Sequence, residues 1–152
     1  MNLYPDFQKA FEGAPWHGNS ALDIIKSSDP ERVFVHWIPN AHSIAEIVSH
    51  LTVWTKEALE RLNGQESKIP ERGDWPLIVN GEDWGGMIRE FEIVHRKLLE
   101  RIKSFTTDDW ESKVVDNRED SAGTITSNAE LVNGIIQHLA YHSGQISLLQ
   151  KF

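Results

Sequence analysis

Two Ser-x-x-Glu sequences, Ser43 to Glu46 and Ser127 to Glu130, each stand directly before a run in which apolar residues recur every three or four positions. A serine hydroxyl in that position accepts from the backbone N–H three residues on, and the glutamate reaches back to the serine's own N–H. The pair therefore satisfies donors that every helix start leaves open. Behind the first box lie Ile44, Ile47, Val48, Leu51, Trp54, Ala58 and Leu62, with Asn63-Gly64 as a stop. Behind the second lie Val132, Ile135, Ile136, Leu139 and Ile146. No long alternation of apolar and polar residues competes with these stripes, so the chain reads as all-α.

Two more helical segments follow from the same reasoning. One runs from about Asp83 to Phe105, with Trp84, Met87, Ile88, Phe91, Val94, His95, Leu98 and Ile102 facing inward. The other, at the start of the chain, is broken. Pro5 suits the first turn of a helix that lasts to about Glu12. "GAPWHGNS" interrupts it, and Ser20 can cap a continuation through "ALDIIKS". Asp29 followed by Pro30 reads as a further short helix start. Residues 65–82 form a connection long enough to cross a helical bundle, so the helices it joins need not be antiparallel neighbours. Residues 106–126 read as irregular, with "KVV" and "TIT" able to pair as a small hairpin. With 152 residues and 39% apolar content, the expectation is one domain over 1–152, a four-helix bundle.

Charge and composition narrow the function. The net charge is −8 and the Lys and Arg residues are scattered, which speaks against nucleic acid and against an anionic membrane surface. Cysteine is absent, which removes disulfides, thiolate nucleophiles and cysteine-ligated zinc. No secretory signal and no membrane-spanning apolar run is visible, and the expected compartment is the cytoplasm.

The candidate chemistry resides in histidine, with a pair satisfied in the core by backbone or carboxylate as the alternative reading of the same spacing. His138 and His142 lie four apart on the last helix, on one edge of its apolar face, with Gln145 continuing that edge. Residues i and i+4 are about 6 Å apart along a helix, so both imidazoles can reach one ion. His50 lies on the edge of another helix's apolar face, with Trp54 one turn on, and can supply a third imidazole. Three protein ligands with an open position is the usual arrangement at a catalytic zinc. His95, central on its helix's apolar face, reads instead as a satisfied core histidine. His36 and His42 precede a helix in a loop and read as solvated or structural, and His17 is ambiguous. There is no HExxH, hence no in-helix glutamate base of the metalloprotease kind.

"NAHSIAEIVSHLTVW" at 40–54, "HLAYHSGQISLL" at 138–149 and "PWHGNSAL" at 15–22 resemble the DinB-like family of small bacterial metal-binding proteins, in the right order over essentially the whole chain. The resemblance implies a four-helix bundle of up-down-down-up topology. It implies a metal triad on His50, His138 and His142 that holds one divalent ion, zinc or nickel before manganese or iron. It also implies a homodimer. Some relatives transfer or isomerise substrates with low-molecular-weight thiols such as bacillithiol or mycothiol, and others have no assigned reaction. The expected function is a metal-dependent enzyme acting on a small molecule, as a thiol transferase or a hydrolase. The alternative is a non-catalytic metal-binding or interaction module. Glu46 and Glu57 are candidate bases or partners of the ligands, although each also reads as solvated surface. Gln145 is a candidate to orient a ligand, and Tyr141 a weaker candidate proton donor.

Overall fold

The computed structural model describes residues 2–78, 83–114 and 127–152. Six helices carry all the regular structure there: α1 (Tyr4–Glu12), α2 (Ala21–Lys26), α3 (Ile44–Leu62), α4 (Trp84–Lys103), α5 (Thr107–Glu111) and α6 (Asn128–Leu149). No helix among the described residues is long and apolar enough to cross a membrane.

The helix starts follow from local chemistry. At α3, Ser43 N–H donates to Glu46 Oε2 at 2.7 Å and Glu46 N–H donates to Ser43 Oγ at 3.2 Å. The same reciprocal pair opens α6 through Ser127 and Glu130, at 3.2 Å in each direction. Ser20 caps α2 by accepting from Asp23 N–H at 3.2 Å. Pro5 sits in the first turn of α1, where its missing N–H costs nothing.

Two local expectations are corrected. At Asp29-Pro30 the chain makes one turn, closed by Arg32 and Val33 N–H on the Asp29 carbonyl at 2.9 and 3.2 Å, and goes no further. The Val33 carbonyl, which a continuing helix would use, accepts instead from Ala45 N–H at the start of α3 at 2.9 Å. Residues 106–126, irregular by periodicity, contain α5. Its start is a Thr version of the same box, with Thr106 Oγ1 accepting from Asp109 N–H at 3.2 Å and Thr106 N–H donating to Asp109 Oδ2 at 2.7 Å. The expected "KVV"/"TIT" hairpin falls mostly outside the described residues. Beside it, Lys113 and Ser127 form an isolated antiparallel bridge.

The helices share one core. Phe7, Phe11, Ile25, Val48, Leu51, Phe91, Leu98, Val132 and Ile146 are fully buried in it. α1 packs on α4 through Phe11 and Phe91, with ring centroids 6.1 Å apart, and through an Arg96–Glu12 ion pair at 2.7 Å. Arg101, near the end of α4, donates to the Leu62 carbonyl and to Asn63 Oδ1 at the end of α3, each at 2.9 Å. Gln150, just past α6, donates to the Ile24 carbonyl of α2 at 2.8 Å. α3 also packs along α6, and that seam carries the site described below.

His95 is fully buried among the rings of Phe7, Phe11 and Phe91. Its Nδ1 lies 2.7 Å from the Phe91 carbonyl, which can only accept, so Nδ1 carries the proton. Nε2 then accepts from the Thr55 hydroxyl at 3.0 Å. Every polar atom of the ring is used, and His95 is the satisfied core histidine its position suggests.

Burial pushes the His95 pKa down from 6.5 to about 4. Above pH 6.5 both folded and unfolded forms are neutral there, and the group leaves stability unchanged. Between 6.5 and 4 the unfolded chain takes up a proton that the folded chain refuses, so stability falls as pH drops. Below about 4 the loss levels off, at about 3 kcal/mol. Urea unfolding at pH 7 and pH 4.5 measures this. His95→Met is expected to lose a smaller share of its stability over that interval than the native chain. An equal loss in both would remove His95 as the cause.

Candidate metal centre

The seam between α3 and α6 brings three histidines together. His50 comes from the middle of α3, and His138 and His142 from successive turns of α6. The ring centroids lie 4.8 Å apart for His50–His138, 4.9 Å for His50–His142 and 4.6 Å for His138–His142. One nitrogen from each ring falls within 4.8 Å of the other two, an arrangement that could hold a metal ion.

Two of the rings are oriented from behind. His50 Nδ1 lies 2.7 Å from the Asp74 carbonyl, which accepts, so Nδ1 carries the proton and Nε2 presents a lone pair inward. His142 Nδ1 donates to Gln145 Oε1 at 2.6 Å, which frees its Nε2 in the same way. An outward N–H held by a carbonyl or amide oxygen is the usual support of a metal-ligating imidazole. His50 Nε2 meets His138 Nε2 at 2.9 Å. Two bare lone pairs repel at that distance, so a proton or a cation must lie between them.

The electrostatics favour neutral rings. Burial lowers the pKa of all three. For His138 the neighbouring imidazoles His142 and His50 add to burial, and its pKa falls to about 3. Contacts with Asp74 and Gln145 oppose the shift at His50 and His142 without reversing it. Neutral imidazole is the form that binds a metal. Three neutral nitrogens, two of them pinned, make a donor set that could hold a metal ion.

The sequence pattern of the DinB superfamily matches residues 16–146, a stretch that contains all three histidines. The chain belongs to the DinB superfamily. No curated protein matches it.

In this DinB superfamily member the connection after α3, where periodicity carries no information, adds Asp74 and Trp75 to surroundings otherwise built from α3, α6 and the segment before α3. Trp75 stacks on His50 with centroids 4.0 Å apart and planes 11° from parallel. On its other side it stacks on His42 at 3.5 Å and 6°, and its edge meets His142 at 6.0 Å. Asp74 uses its carbonyl on His50, and its carboxylate accepts from Trp54 Nε1 at 2.7 Å. The connection thus folds back over the cluster and clamps His50. Asp74 and Trp75 were not among the residues that spacing singles out. Asp-Trp-Pro at 74–76, which holds the one tryptophan of that connection, was the signal available.

The remaining candidates fall in different places. Glu46 spends its carboxylate on Ser43 N–H and on His36 Nε2, the latter at 2.8 Å, and its link to the cluster runs only through His42 and Trp75. Glu57, which reads as solvated from the sequence, is buried instead. Arg61, one turn on, donates to it at 2.6 Å, and Lys68 N–H donates at 3.1 Å. Tyr141 is mostly exposed, with its ring 4.9 Å from that of His142.

Two cavities meet at His50. One, about 400 Å³, is bounded by Trp54, Glu57, Arg61, Leu131, Ile135 and His138. The other, about 530 Å³, reaches His142 and Gln145 from the opposite side. The Gln145 contact gives a direct expectation. Gln145→Leu should weaken divalent-ion binding by about 10- to 100-fold, because His142 loses the partner that fixes its ring. Calorimetric titration with zinc measures this, and unchanged affinity would mean that Gln145 does not orient His142.

Proposed function

We propose that this chain is a divalent-metal-dependent enzyme that moves a group of a small molecule onto a low-molecular-weight thiol or onto water. The observation that carries this reading is the convergence of three neutral imidazoles at a point where two cavities meet. A structural ion would be closed off by a fourth protein ligand, whereas this cluster is reached from two sides. When bound, a divalent ion there supplies Lewis acidity and lowers the pKa of a coordinated water or thiol. The protein's own part is to hold that point. Asp74 and Gln145 keep His50 and His142 turned inward, burial keeps the rings unprotonated, and Trp75 covers His50. No cysteine of the chain is needed, because the thiol arrives as cosubstrate.

The proposal includes the architecture and the assembly. Counting α1 and α2 as one broken helix gives a four-helix bundle. An up-down-down-up course is supported by three sets of contacts. Phe7 and Phe11 meet His95 and Phe91, which reverses the order between α1 and α4. Thr55 and Leu62 meet His95 and Arg101, which keeps the order between α3 and α4. On α6, His138 and His142 face His50 while Leu131 lies near Ala58 and Arg61, which reverses the order against α3. The ion proposed is zinc or nickel and the compartment the cytoplasm. A homodimer is proposed as well, supported by fully exposed Trp16 and largely exposed Leu77. Light scattering that returned a monomer mass would contradict the dimer.

The activity is tested by giving zinc- and nickel-loaded protein a panel of esters, amides and epoxides, with and without an added thiol. The expected result is turnover that tracks metal content and disappears in His142→Ala. Full metal occupancy without turnover on any member would favour a non-catalytic metal-binding module instead.

A further inference from the structure

The two cavities that meet at His50 differ in chemistry. The 400 Å³ cavity contains a buried ion pair, Glu57 with Arg61 at 2.6 Å. The 530 Å³ cavity has no lysine or arginine in its lining among the described residues. Its walls are Ile38, Ile47, Trp75, Tyr141, Leu148 and Leu149, and His50 and His142 lie at its inner end. Its one carboxylate among the described residues, Asp74, already accepts from Trp54 and stands 3.3 Å from His50 Nδ1. The polar groups at the inner end are likewise engaged, with Gln145 on His142 and His42 against Trp75.

Such a chamber selects by charge and by polarity. A charged body lying along the walls, away from the inner end, would lose water and meet no lysine or arginine among the described residues, in a chain whose net charge is −8, whereas a divalent ion at the three histidines would draw only the donor group. A cationic ligand would be repelled by a divalent ion at the three histidines. An apolar body loses nothing by leaving water there, and the volume lies in the range of small-molecule sites. From the proposed metal reading, on which this step rests, we infer that the 530 Å³ chamber seats the uncharged, apolar body of a small molecule whose one donor group points at the histidine cluster. Leu148 and Tyr141, exposed on α6 with no need to be apolar for the core, form its outer rim.

The probe is a homologous series of alkyl hydroxamates, from acetohydroxamate to hexanohydroxamate, titrated calorimetrically into zinc-loaded protein. The head group binds metal and the tail reports the chamber. Each added methylene should tighten binding by up to about fourfold until the chamber is filled. Leu148→Asp is the first variant, since that side chain is 58% exposed and the fold does not depend on it. Ile38→Asp, on the opposite wall, is the second. Both should keep zinc and acetohydroxamate affinity and lose most of the gain with tail length. Succinate monohydroxamate, which carries a charged tail, should bind no better than acetohydroxamate.

Failure to hold zinc at the three histidines, or to bind acetohydroxamate once zinc is held, would overturn the metal reading and the chamber with it. Zinc and acetohydroxamate bound with no dependence on tail length would overturn the chamber alone. So would a dependence that both variants retain. A Leu148→Asp protein that changes its oligomeric mass and keeps the tail dependence would make that rim a contact between chains, which also overturns the proposal.

Discussion

His142→Ala should lose more than about 100-fold in affinity for zinc or nickel. Losing an outer partner of a ligand already costs 10- to 100-fold, and this change removes the ligand itself. His138→Ala and His50→Ala should behave alike, because the three rings close one set of nitrogens within 4.8 Å. His95→Met should keep full affinity, since both His95 nitrogens are engaged in the core on Phe91 and Thr55. His36→Ala should keep it too, since His36 faces Glu46. Acid should displace the metal, but late. The triad pKa values lie below 6.5, and that of His138 is about 3, so protons compete poorly near neutrality. Metal content should therefore be nearly the same at pH 7 and pH 6.5 and fall only at lower pH. Elemental analysis of the single variants decides the matter. Full metal in His142→Ala with loss in His95→Met would mean the wrong histidines have been chosen.

The second large effect concerns stability. Glu57 and Arg61 form an ion pair at 2.6 Å with side chains only 3% and 2% exposed. Arg61→Met leaves a carboxylate out of water without its guanidinium, and about 3–5 kcal/mol should be lost in urea unfolding. The partly exposed pair of Arg96 with Glu12 is the contrast. Its loss in Arg96→Met, together with that of the neighbouring Arg96–Glu92 pair, should cost about 1 kcal/mol, because solvent screens the half-exposed guanidinium. Replacing both buried partners, as Glu57→Leu with Arg61→Met, should recover part of the loss, since the buried charge then disappears. A single Arg61→Met variant as stable as the native chain would show that the pair is not held out of water.

These two predictions rest on parts of the molecule that differ in how far the sequence reveals them. The starts of α3 and α6 were visible because a capping box is a local device, complete within four residues. His138 and His142 were visible as a pair because helix geometry alone brings i and i+4 together. His50 could be read as a third member from its place at the edge of a helical stripe, and the fold brings it to the other two. The burial of Glu57 was not visible. An i, i+4 Glu–Arg pair reads the same whether it faces solvent or a cavity wall, and what decides is tertiary, the packing of α3 against α6 and the connection that brings Lys68 N–H onto Glu57. Asp74 and Trp75 were hidden for another reason. The path of a connection is set by the surfaces it crosses, and its own residues carry no period. The five-residue α5 was missed because it is shorter than any stripe, although its Thr106–Asp109 box obeys the rule that revealed its longer neighbours.

The most direct test of the whole account is anomalous difference density from crystals of the protein grown with zinc. The expected result is one strong peak between α3 and α6, within bonding distance of a ring nitrogen from each of His50, His138 and His142, with density for solvent or a small molecule on its open side. A protein saturated with zinc that shows no peak there, or shows it on His36 and His42 while His50 and His138 remain hydrogen-bonded to each other, would contradict it.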